Sequence, residues 1–128
     1  MTYNLSIKEN PSYLHITVSG KNSRQTVTRY LQDVLQECVK RNCRKVLIEE
    51  KLDGPRLKTI PIYEISSEGS NQARGYFDAI AYVDTNAEGN LMKFAETVAV
   101  NRGLPVNVFA NIEDAEKWLN NLVLEEQQ

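Results

Sequence analysis

Four carboxylates stand at or just beyond the ends of predicted strands. Glu49 and Glu50 close the run KVLIEE, Asp53 follows in the turn KLDGPR, and Asp84 ends FDAIAYVD. In open α/β sheets ligands bind beyond the carboxyl ends of the strands, and carboxylates converging there would suit a magnesium ion or a phosphoacceptor. Two features speak against that use. The chain opens with a hairpin rather than a parallel β-α-β unit, and no lysine ends the last strand, VNVF, to pair with a phosphoryl group. His15 is the single histidine, set with Tyr13, Thr17 and Ser19 on the more polar face of its strand. A Ser-His or Cys-His pair therefore has little to build from. Cys38 and Cys43 match no zinc or redox spacing and read as packing or surface thiols of a reducing compartment. No GxGxxG, GxxxxGK[ST] or GxSxG stretch supplies a phosphate cradle or a nucleophile elbow.

Those residues are positioned by a regular alternation of elements. YNLSIKE and YLHITVSG alternate polar and apolar side chains around Asn10-Pro11-Ser12, which predicts an antiparallel hairpin. Val27, Tyr30, Leu31, Val34, Leu35, Cys38 and Val39 then draw one apolar stripe at helical spacing. Asn22, with Gln25 following, reads as its N-cap, and Asn42 as its left-handed stop. The basic residues Lys40, Arg41, Arg44 and Lys45 suit the negative pole of the helix dipole.

KVLIEE predicts a buried strand. The segment LKTIPIYEISSEGSNQA predicts a helix only if Pro61 lies in its first turn, with Gly69 as its end. FDAIAYVD is apolar on both faces except at Asp78, so both sides of the sheet are covered there. A helix from Gly89 to Arg102 buries Leu91, Phe94, Ala95 and Val98; Gly103 stops it, and VNVF follows. Asn111 caps the last helix, with Ile112, Ala115, Trp118, Leu119 and Leu122 as its inner stripe.

The order β-β-α-β-α-β-α-β-α predicts a mixed sheet whose later strands are parallel and joined by right-handed crossovers. Its 128 residues make one domain, and a chain of that size buries roughly two-thirds of its unfolded surface. A net charge of −2 gives no pull toward nucleic acid or anionic membrane. The N-terminus is neither a secretory signal nor a membrane span, which would need about 20 apolar residues. A cytoplasmic protein with no integral membrane segment is the expectation.

Together with this element order, KVLIEEKLDGP, FDAIAYVD and FAETVAVNRGLPVNVFANIEDAEKWL resemble the SpoIIAA-like family, compact STAS/SEC14-like relatives of the anti-sigma factor antagonists. The resemblance implies an α/β fold, a SpoIIAA/STAS-like mixed central sheet of about five strands flanked by about four helices. It implies binding rather than catalysis, with no cofactor and an anti-sigma-factor-like or other regulatory protein as partner. Relatives are switched by phosphorylation of a serine in a turn after the middle strand. The matching turn here, EEKLDGPRL, holds Asp53 and Gly54 but no hydroxyl residue before Thr59. The expectation is thus a regulatory module without the usual phosphoserine switch, docking through Leu52, Asp53, Gly54, Pro55, Arg56, Leu57, Ile60 and Tyr63. Thr59, Ser66 and Ser67 are the remaining phosphorylation candidates. The alternative is a small-ligand or lipid-binding SEC14-like domain, with an apolar cavity under the second helix near Leu57, Ile60, Ile62 and Tyr63. The edge of the N-terminal hairpin leaves homodimerisation open.

Overall fold

A hairpin begins the chain: β1 (Tyr3–Glu9) pairs antiparallel with β2 (Leu14–Lys21), and Asn10 N–H donates to the Tyr13 carbonyl at 3.0 Å across the turn. The computed structural model describes residues 3–54, 59–73, 75–84 and 89–126. After the hairpin come α1 (Arg24–Lys40), β3 (Lys45–Asp53), α2 (Thr59–Ala73), β4 (Ala79–Asp84), α3 (Gly89–Asn101), β5 (Val106–Phe109) and α4 (Ile112–Glu126). This is the predicted order. The five strands lie in the sheet in chain order, with β2, β3, β4 and β5 all parallel.

That sequential order decides where the helices go. Each crossover steps one strand further in the same direction, and right-handed crossovers then place α1, α2 and α3 on one face. Contacts of α1 with α2 and of α2 with α3 agree with a single helical layer. α4 follows the last strand, covers the opposite face, and packs on β3, β4 and β5. Pleating divides the apolar residues accordingly. Leu14, Ile16, Val18, Val46, Ile48 and Ile80 meet Val27, Tyr30, Val34 and Ile65 in the larger core. Leu47, Ala79, Ala81 and Val83 meet Ala115 and Leu119 in the smaller one. Across the β1–β2 half of that second face, Asn4, Ser6 and Lys8 are exposed, in register with half-buried Ser19, Thr17 and His15.

Local chemistry sets the helix ends. Ser23, not Asn22, caps α1: its backbone is extended and its Oγ accepts from Thr26 N–H at 3.1 Å. Asn42 takes φ 55, and Cys43 N–H reaches back to the Cys38 carbonyl at 2.9 Å, closing a Schellman turn. Gly103, φ 85, closes α3 the same way, with Leu104 N–H on the Ala99 carbonyl at 3.1 Å. Asn111 Oδ1 caps α4 by accepting from Asp114 N–H at 2.9 Å. Pro61 lies in the first turn of α2, where its missing N–H removes no helical bond. Gly69 does not end that helix, which continues to Ala73 before the chain turns at Gly75, φ 81. A glycine within a helix costs about 1 kcal/mol relative to alanine, too little to stop one held by tertiary packing.

Candidate functional site

Small residues on the inner sides of two helices leave a space above the sheet. Gly69 and Ala73 of α2, with Ala95 and Ala99 of α3, face a floor built by Val46 and Ile48 of β3, Ile80 and Tyr82 of β4, and Val106 and Val108 of β5. Val27, Leu31, Val34 and Leu35 of α1 form the remaining wall. The cavity measures about 190 Å³. Glu68 and Gln72 line it and are exposed, which puts its opening beside α2.

At the carboxyl ends of the central strands the lining turns polar. Glu50 of β3 and Asp84 of β4 are paired in register, 7% and 2% exposed, and both line the cavity. The Tyr30 hydroxyl from α1 and the Tyr82 hydroxyl from β4 both donate to Glu50 Oε2, and the two phenol oxygens lie against each other. Burial pushes both phenols well above their ordinary value of 10.0, and the charge of Glu50 adds to that push. Glu96 of α3 also lines the cavity, its Oε2 accepting from Val108 N–H at 2.7 Å.

The acidic strand ends do not form one rim. Glu49 and Glu50 are adjacent and therefore point to opposite faces. Glu49 lies on the α4 side of the sheet, where it meets His15 Nε2 at 3.0 Å, Thr17 Oγ1 at 3.1 Å and Lys51 Nζ at 3.4 Å. Burial works to raise its carboxyl, but the hydrogen bonds from His15, Thr17 and Lys51 outweigh it, and the net shift is downward. Asp53, the last residue of β3, is exposed. Among the described residues no group of three potential ligands is placed to hold a metal ion.

The expected docking residues divide. Leu52 is 5% exposed and belongs to the larger core, because the strand runs on to Asp53 rather than stopping at Glu50. Asp53 and Gly54 are exposed, and Gly54 has φ 110, which disfavours any side chain there. Pro55, Arg56 and Leu57 lie outside the described residues, as do the side chains of Thr59, Ile60, Ile62 and Ser66. The expected burial of Leu91 and Phe94 likewise falls on side chains outside those described. Tyr63 is 44% exposed, with the Arg102 guanidinium 5.6 Å from its ring centre and Nη2 donating to its hydroxyl at 3.2 Å. It does not line the cavity, and Ser67 is half-buried.

A cavity does lie under α2, then; among the described residues its lining from that helix runs from Ile65 to Ala73, and the expected Leu57, Ile60 and Ile62 lie outside the described side chains. Gly69, read from sequence as a stop, is one of the small residues that open it. Tyr30, Glu50 and Tyr82 were present in the sequence as polar atoms inside three apolar stretches; that signal alone does not say that they meet. Among the described residues no helix is long and apolar enough to cross a membrane. Comparison with protein-family models and with curated proteins finds no match.

Proposed function

We propose that this chain is a non-catalytic binding domain of the SpoIIAA-like, STAS-related kind, and that it works by holding a small, largely apolar molecule between its three-helix layer and the sheet. The observation that carries this reading is the cavity of about 190 Å³. Interiors pack to near-crystalline density and leave few voids larger than a water molecule. An apolar space of this order binds small hydrocarbons in other proteins: about 150 Å³ suffices for benzene.

Propylbenzene is a suitable probe. It raises the thermal midpoint of the wild-type chain in proportion to the logarithm of its concentration above Kd. Gly69→Leu provides the control, because a Cβ added at Gly69 meets nothing within 4 Å and leucine is the better helix former. The variant folds with an unchanged or raised midpoint and loses the propylbenzene response. Absence of any response in wild type at saturating propylbenzene would refute the reading.

Docking of a regulatory protein near residues 52–63 is the second reading, favoured by the exposure of Asp53 and Tyr63. A partner recognised there is lost from Tyr63→Ala in a pull-down while that variant keeps its propylbenzene response.

A further inference from the structure

The two edges of the sheet are finished differently. At β5 the N–H groups that face away from β4 are already used: Val106 donates to the Leu104 carbonyl at 2.9 Å and Val108 to Glu96 Oε2 at 2.7 Å. At β1 no such bond closes the outer side among the described residues, and the strand packs on β2 and α1. The hairpin bond from Asn10 N–H to the Tyr13 carbonyl fixes the parity of that strand. Asn4, Ser6 and Lys8 bond to β2, and Tyr3, Leu5, Ile7 and Glu9 turn their N–H and C=O groups outward. A seven-residue edge with no proline, glycine or bulge is a template for another strand.

The strand is also complementary to itself. Laid antiparallel against a second copy with Ser6 on the twofold axis, all seven residues pair, with Leu5 opposite Ile7 and Tyr3 opposite Glu9. Leu5 and Ile7 are half-buried against the larger core, so each would cover what the other leaves exposed. On the other face Asn4 stands opposite Lys8, and Ser6 opposite Ser6. The two charges of the strand, Lys8 and Glu9, never face their own kind. Lysine often guards sheet edges, but here it would meet a neutral amide.

We propose that β1 is a self-association edge: two copies of this chain pair β1 to β1, antiparallel about Ser6, and join their five-stranded sheets into one. This goes beyond the cavity reading and does not depend on it. A contact of one strand pair falls below the roughly 1,200 Å² of a standard interface, so the dimer is reversible rather than permanent.

Sedimentation equilibrium of the full chain over a range of concentrations reads the association directly. Wild type is expected to show a reversible monomer–dimer equilibrium. Ser6→Lys and Ser6→Glu each set like charges directly opposite one another across the axis, and each is expected to raise the dimer dissociation constant roughly fivefold. Ser6 is exposed, so neither change touches the core, and far-ultraviolet dichroism verifies the fold. An equimolar mixture of the two variants is expected to regain the dimer, because lysine then faces glutamate. Should one variant not fold, the other and the wild type still decide. Wild type that stays monomeric at every concentration overturns a second copy as the occupant of this edge. A dimer that neither variant weakens uses another surface and overturns the proposal equally. Weakening in both without recovery in the mixture overturns the pairing about Ser6.

Discussion

A single carboxylate shows how side-chain placement overrides side-chain type. Glu49 is buried within a strand, yet it is satisfied from three sides by His15, Thr17 and Lys51. Its carboxyl is held below the ordinary value of 4.5. A depressed folded-state value means the contribution to stability is complete above the unfolded value and is lost as pH falls through the folded one. Wild-type stability is therefore expected to decline as pH drops below 4.5 toward the folded value, in the window this residue governs. Glu49→Gln is expected to be less stable than wild type at neutral pH and to show a flatter acid limb. Urea midpoints measured at successive pH values check this. Parallel limbs for the two proteins would mean that the three hydrogen bonds do not favour the ionised form.

At the scale of elements, the two sheet faces are held very differently. Three helices share one face, while among the described elements α4 covers the β3–β5 half of the other. Leu119 is 0% exposed in that smaller core. Leu119→Ala is expected to cost about 2–5 kcal/mol, against a total stability for a domain of this kind of about 5–15 kcal/mol. The single tryptophan, Trp118, lies 5.7 Å from the Phe109 ring, so its fluorescence reports the seating of α4 during urea unfolding. A loss below about 1 kcal/mol would place this position outside the cooperative core. The inner stripe of α4, the order of all nine elements and the stops at Asn42 and Gly103 were legible in the sequence, because each depends on residues close together in the chain. What escaped was set by distance or by competition. Ser23 and Asn22 are both good caps, and only the backbone conformation chooses between them. Gly69 obeys its tertiary contacts rather than its propensity. The cavity is a sum over six elements, and the sequence does not announce which small residues face one another. Sequential strand order with right-handed crossovers supplies that missing step, since it puts α1, α2 and α3 over a common floor.

For the whole molecule, the buried phenols tie folding to alkaline pH. Tyr30 and Tyr82 connect the helical layer to the strand ends through Glu50, and both are held protonated well above 10.0. Tyr13, which joins the start of β2 to α4 through Glu116 at 2.6 Å, is pushed up to about 12 by burial and by that carboxylate. Each folded-state value is raised above the unfolded one. The associated stability is thus fully present below pH 10.0 and is lost as pH rises through the folded values. Both faces of the sheet lose support together, because Tyr30 and Tyr82 serve one face and Tyr13 the other. The expected result is a fall in thermal midpoint that begins above pH 10.0 and steepens, with phenolate absorbance from the buried tyrosines appearing only as the far-ultraviolet dichroism is lost. Tyr82→Phe should remove one such phenolate from that late phase. Ionisation of all six tyrosines near pH 10.0 with the dichroism intact would mean that the phenols are solvated, and that the polar end of the cavity is not closed in the way the contacts describe.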